Sequence, residues 1–108
     1  MNIRVKIWLN KDEDIIFGNG PRELLLRIDK LGSLSKAASS MKMSYSKAWN
    51  LIDRIETVLG YKILEKKAGG ASGGSSTLTQ EGRVLIEKFN YIDDEIRKTV
   101  DRLNKEIF

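Results

Sequence analysis

The sequence predicts a mainly α domain with small β: a winged helix-turn-helix with an N-terminal β-hairpin and a long C-terminal dimerisation helix. Three observations carry this. Between Gly32 and Gly60, two short runs of helical periodicity are joined by a tight turn. From Tyr61 to Leu78, a strand-like segment, a glycine-filled stretch and a short return segment follow one another. Beyond Thr79, apolar residues recur at spacings of three and four. The expected division is a winged helix-turn-helix over 1–79, with the hairpin at 3–17, a recognition helix at 45–59 and a wing at 61–78, and then the helix at 80–108.

The elements follow in order. Ile3, Val5, Ile7 and Leu9 alternate with Arg4, Lys6 and Trp8, the period of a strand with one buried face. Asn10 to Asp14 is polar turn material, and Ile15-Ile16-Phe17 makes a short return strand. Trp8 falls on the polar face, so a further element is expected to cover it. Gly18-Asn19-Gly20-Pro21 breaks the chain and opens a helix, because proline's missing N–H has no partner in a first turn anyway. Leu24, Leu25, Ile28 and Leu31 form its apolar stripe, and Gly32 stops it. Leu26 lies off the stripe, either exposed or at a subunit contact.

Ser33 or Ser35 caps the next helix, built on Leu34, Ala37, Ala38 and Met41, whose two alanines let another helix approach closely. Lys42-Met43 is the turn. Ser44 caps the third helix, in which Ala48, Leu51, Ile52, Ile55 and Leu59 share a face, and Gly60 ends it. Tyr61 to Glu65 reads as a strand. Lys67 to Ser75 holds four glycines in nine residues and no large side chain, the composition of a mobile loop. A linker between domains has the same composition, but a single helix follows, too little for a second core. Ser76-Thr77-Leu78 is the return strand, and Thr79 caps the last helix. There Leu85, Phe89, Ile92, Ile96, Val100, Leu103 and Ile107 are spaced 4, 3, 4, 4, 3, 4, close to a heptad seam. At ~1.5 Å per residue the helix runs about 40 Å, more than a small domain covers. The same helix of a second copy is the favoured cover, and packing wholly on the domain's own core is the alternative.

Composition narrows the chemistry. A chain of 108 residues suits one domain. With no cysteine there is no disulfide or thiolate chemistry, and with no histidine the commonest general base and metal ligand is missing. The acidic clusters Asp12-Glu13-Asp14 and Asp93-Asp94-Glu95 read as a turn and a solvated helix face. The glycine stretch lacks the Gly-Lys-Ser/Thr end of a phosphate-binding loop. No enzyme, metal or cofactor is expected. No apolar run reaches the roughly 20 residues of a membrane span, and the N-terminus has no signal-peptide pattern. The expectation is therefore a soluble cytoplasmic protein, at the nucleoid when bound to DNA. Net charge is +4, and all of it lies between Lys36 and Lys67, where seven cations face three anions; the remainder of the chain is neutral. A basic module of this kind is the footprint of a polyanion partner.

At 100° per residue, the face of the third helix opposite its apolar stripe carries Ser46, Asn50, Asp53 and Thr57, flanked by Trp49 and Arg54. Asn50 has the amide needed to contact adenine bidentately, and it sits in mid-helix where asparagine is a poor helix former. Tyr45 and Trp49 offer flat apolar contact, although a tryptophan at a helix flank is more often core, and Tyr45 lies near the core side. Ser44 reads chiefly as a cap. Lys47 and Arg54 are placed for phosphates, as are Lys42 in the turn and Lys66 and Lys67 in the wing. Asp53 repels phosphate unless it accepts from cytosine or pairs with Arg54. Wing glycines Gly69, Gly70, Gly73 and Gly74 let backbone N–H groups approach phosphates.

At these residues the chain resembles the N-terminal DNA-binding domain of the molybdate-responsive regulator ModE family, a relative of the LysR-type winged helix-turn-helix. The matching segments are Gly32-Ser33-Leu34-Ser35-Lys36-Ala37-Ala38, Ser44-Tyr45-Ser46-Lys47-Ala48-Trp49, Gly69-Gly70 with Gly73-Gly74, and Leu78-Thr79 followed by Gly82. Lys6-Ile7-Trp8-Leu9 and Phe17-Gly18 of the hairpin are similar to the same family. The resemblance implies a homodimer that binds double-stranded DNA as a prokaryotic transcription regulator, with Ser46, Trp49 and Asn50 facing DNA. Full-length members carry C-terminal domains that bind molybdate or tungstate; the sequence stops at Phe108, so no molybdate site is expected within it. Two alternatives stand beside this reading: a winged-helix protein–protein interaction module, and a non-specific architectural DNA-binding protein.

Overall fold

The computed structural model describes residues 1–67 and 74–108. Most of the predicted mobile loop, with wing glycines Gly69, Gly70 and Gly73, lies outside the described residues, while Lys67 and Ser75 at its ends pair as strand. Eight elements follow one another: β1 (Trp8–Lys11), β2 (Asp14–Gly18), α1 (Asn19–Leu31), α2 (Leu34–Ser40), α3 (Tyr45–Leu59), β3 (Leu64–Lys67), β4 (Ser75–Leu78) and α4 (Gln80–Ile107). Each β pair is an antiparallel two-stranded ribbon, β1 on β2 and β3 on β4. The core gathers Phe17 from β2, Leu24, Leu25 and Ile28 from α1, Ala37 and Ala38 from α2, Ala48, Ile52 and Ile55 from α3, and Leu85 and Phe89 from α4. Phe17 and Phe89 meet edge to face, with ring centroids 5.4 Å apart.

Helix boundaries follow from local chemistry. The Ser33, Ser44 and Thr79 side chains accept the N–H groups of Lys36, Lys47 and Gly82, so each covers one of the four N–H groups that a helix start leaves free. Of the two candidate caps for α2, Ser33 is the one used. Gly32 and Gly60 end α1 and α3 with φ of +75° and +82°, a left-handed conformation that strains residues with a Cβ. α1 begins at Asn19, two residues before Pro21, which is still inside the first turn. Leu26 is exposed, as its position off the stripe requires. Leu31 is exposed as well, because the stripe outruns the neighbours that cover it.

Four expectations change. The hairpin pairs only from Trp8 to Gly18, with its register broken by a bulge after Leu9. Residues 3–7 keep the alternation of half-buried and exposed side chains but have no strand partner. Instead the Ile3 N–H donates to Asn104 Oδ1 at 2.7 Å, and Asn104 Nδ2 donates to the Ile3 carbonyl at 3.3 Å. Trp8 is not covered; it is 47% exposed at the rim of a groove of about 790 Å³ between the hairpin, the start of α1 and α4.

Strand β3 starts at Leu64 and not at Tyr61. The backbone just before it is satisfied by other groups. Glu56 Oε2 accepts from the N–H groups of Ile63 and Leu64 at 2.8 and 3.2 Å. The Thr79 N–H donates to the Ile63 carbonyl, and the Thr79 hydroxyl donates to the Lys62 carbonyl. The Ser76 N–H donates to the Gly32 carbonyl at 2.9 Å, so β4 is hung on the turn between α1 and α2.

Helix α4 is the longest element, about 42 Å at ~1.5 Å per residue, in a molecule 57 Å along its greatest extent. Leu85 and Phe89, which the heptad spacing assigned to a subunit seam, are 7% and 1% exposed within the domain's own core. The part of that stripe left outside the core starts at Ile92 and runs through Ile96, Val100, Leu103 and Ile107, which are half-buried or exposed.

Candidate nucleic-acid interface

The outward face of α3 is uncovered. Ser46, Lys47, Asn50, Asp53, Arg54 and Thr57 are all exposed, while Ala48, Ile52 and Ile55 hold the opposite face in the core. The amphipathic period of α3 produces this arrangement: apolar residues fix one side, and the polar residues between them have nowhere else to point. Among the described residues, the Asn50 side chain makes no intramolecular hydrogen bond. Ser44 caps the helix and stands exposed at its start.

Tyr45 is not on the core side; it is 53% exposed. It lines a cleft of about 410 Å³ with Ser33, Ser35, Lys66, Lys67 and Ser75. Among the described residues, hydroxyl groups and two ammonium groups line this cleft, and no carboxylate does. Such a donor set suits phosphate oxygens. Sequence alone offers Ser35 only as a cap and gives Ser75 no role. Their signal is the hydroxyl left free once Ser33 has taken the cap, and it has meaning only when the wing is folded beside it.

Trp49 is 40% exposed, so it is not core. Lys66 Nζ lies over its ring, 5.3 Å from the centroid. A cation on an exposed indole contributes roughly 0.5–1 kcal/mol, which joins wing and helix without locking the ammonium away from a stronger anion. Gly74 lies just before β4, against the end of β3: a Cβ there would stand 2.9 Å from the Lys67 carbonyl oxygen.

Arg54 pairs with Asp14 of the hairpin at 3.9 Å, and not with Asp53. Both partners are more than half exposed, so the pair contributes at most ~1 kcal/mol and yields readily to a phosphate. Lys42 is exposed in the turn at φ +57°, which the tight link between α2 and α3 imposes. Away from this face, the hydrogen bond to Asp29 raises the pKa of Arg83, and the hydrogen bond to Asp94 raises that of Lys98. Among the described residues no acidic group of three is placed to hold a metal ion, and no helix is long and apolar enough to cross a membrane.

A helix pair with its second helix exposed, followed by a two-stranded wing, defines a winged helix-turn-helix. Residues 23–83, more than half of the chain, match the family described as bacterial regulatory helix-turn-helix protein, lysR family, and the chain belongs to it. The molybdenum transport protein ModE of Azotobacter vinelandii is 31% identical over 84 residues, covering 78% of this chain and 31% of that protein. The DNA-binding transcriptional dual regulator ModE of Escherichia coli K12 is 31% identical over 81 residues, covering 75% and 31%. The chain thus spans under a third of the length of these relatives. Among solved structures, the CbnR_DBD–DNA complex superposes with a TM-score of 0.60 at 19% identity, covering 82% of this chain and 97% of that one. That likeness supports the fold.

Proposed function

We propose that this protein is a homodimeric transcription regulator that binds double-stranded DNA sequence-specifically in the cytoplasm, at the nucleoid. The observation that carries the reading is the uncovered polar side of α3 beside a hydroxyl- and lysine-lined cleft. The N-terminal half of α3 enters the major groove, where Asn50 pairs with an adenine edge and Ser46 and Trp49 contact neighbouring bases. Lys42, Lys47, Lys66 and Lys67 neutralise phosphates, and Tyr45, Ser35 and Ser75 add hydroxyl donors where the backbone passes the wing. Arg54 leaves Asp14 for the nearest phosphate. Ile92, Ile96, Val100, Leu103 and Ile107 pair with the same seam of a second copy, which sets two recognition helices roughly one helical turn apart, ~34–36 Å. No catalytic, cofactor or molybdate-binding role belongs to this reading.

Selection from a random duplex pool, run beside light scattering, tests it. The expected result is a palindromic consensus and a dimer mass. Weak binding to every duplex at both low and moderate salt would instead favour the protein–protein interaction module, and salt-dependent binding without a consensus the architectural one.

A further inference from the structure

From Asn90 onward α4 leaves the core, and its remaining turns to Ile107 extend about 27 Å at ~1.5 Å per residue. Long helices curve with radii of ~60–100 Å, and over that length such curvature moves the tip by roughly 4–6 Å. The tip of α4 is held on one side. Asn2 to Val5 lie beside Arg97, Val100 and Asn104. The Asn104 amide meets both polar groups of Ile3: its Oδ1 accepts the N–H at 2.7 Å, and its Nδ2 donates to the carbonyl at 3.3 Å. One side-chain amide here does what a neighbouring strand would do. The other end of the segment is anchored, because Ile7 and Leu9 pack against the core and β1 is paired to β2. Residues 3–7 therefore form a strut from the body of the domain to the far end of α4. The strut lies beside Val100 at one edge of the seam; by helical angle Asn104 lies outside the seam, and Ile96 and Ile107 stay exposed.

We infer that Asn104 is a positioning residue for operator recognition: by gripping Ile3 it fixes the angle between α4 and the DNA-reading body, and so the half-site separation that the dimer accepts. The inference rests on the dimer reading above. A tip displacement of roughly 4–6 Å exceeds the ~3.4 Å rise of one base pair. A braced helix therefore separates spacings one base pair apart, and an unbraced one does not.

The test uses the palindrome selected by the wild-type protein, with its half-sites moved together or apart by one base pair. Wild type is expected to prefer one spacing by roughly tenfold, the discrimination of about one mismatched base pair. Asn104→Ala loses most of that preference while its affinity for a single half-site stays unchanged. Ile3→Pro removes the same N–H from the other side and gives the same result; Asn104→Asp, which keeps the acceptor, retains part of the preference. The absence of cysteine allows a spin-label pair at Ser39→Cys and Lys105→Cys, read in labelled protein diluted with unlabelled protein. The distance distribution within one protomer is narrow in wild type and broad in Asn104→Ala. An equally narrow distribution in Asn104→Ala overturns the strut. A broad distribution with unchanged spacing preference overturns the operator role. A monomeric wild type without spacing preference overturns the dimer reading, and the operator role with it, whatever the labels show.

Discussion

Gly82 lies against the carbonyl of Ile63 so closely that a Cβ at this position would stand 2.5 Å from the oxygen. The obstacle is backbone, held in turn by the Thr79 N–H, and cannot rotate aside. Alanine is the better helix former by about 1 kcal/mol, yet overpacking at a fixed neighbour costs about 1–3 kcal/mol. Gly82→Ala is expected to lower the urea midpoint with an unchanged m-value. Equal midpoints would show that α4 slides freely away from the wing base.

Glu56 is nearly buried and accepts two backbone N–H groups where the chain enters β3. Glu56→Ala leaves both without an acceptor, at a cost of about 1–3 kcal/mol for each buried group left unsatisfied. Glu56→Gln keeps a carbonyl oxygen and is milder. Chemical denaturation ranks the two variants; equal losses would mean that charge, and not the acceptor, matters here.

Asn50 and the wing lysines are expected to fail in different ways. Asn50→Ala costs roughly 1–3 kcal/mol at one base position and leaves other positions alone. Lys66→Ala with Lys67→Ala weakens all duplexes alike and flattens the plot of log K against log salt by about 2. Titrations of a panel of single-base operator variants at several salt concentrations separate the two. An unaltered base preference removes Asn50 as a reader, and an unaltered slope removes the wing from the phosphates.

Ile96 is 38% exposed in the middle of the open seam. Ile96→Asp places a carboxylate there at little cost to the isolated domain, within about 0.5 kcal/mol for an exposed site. Light scattering is expected to show a monomer, with a thermal midpoint that no longer depends on protein concentration. A persistent dimer would mean that the subunits meet elsewhere.

Helices, caps and stop signals were legible in the sequence because each depends on neighbours a few residues away. Ser33, Ser44, Thr79, Gly32 and Gly60 act where their positions predicted. The exposed face of α3 was legible for the same reason: helical period alone separates Asn50 from Ile52. What was not legible depends on distant partners. Alternation at Ile3, Val5 and Ile7 says that one side is covered but not by what, and the partner is an asparagine 101 residues away. Tyr61 to Ile63 look like strand until Glu56 and Thr79 take the hydrogen bonds of Lys62 and Ile63. Leu85 and Phe89 share a spacing with Ile92 and Ile96, and only the position of the core separates them. Arg54 pairs with Asp14, which no local rule connects to it.

Trp8 and Trp49 are the chain's two tryptophans, and they stand at separate surfaces. One rims the hairpin groove, and the other lies under Lys66 beside the polar face of α3. Both indoles are open enough for their emission to respond when a neighbour arrives. With Trp8 replaced by phenylalanine, fluorescence follows duplex docking through Trp49 alone; with Trp49 replaced, it follows events at the hairpin. The protein thus carries two native optical probes, and no dye is needed to learn which surface engages first.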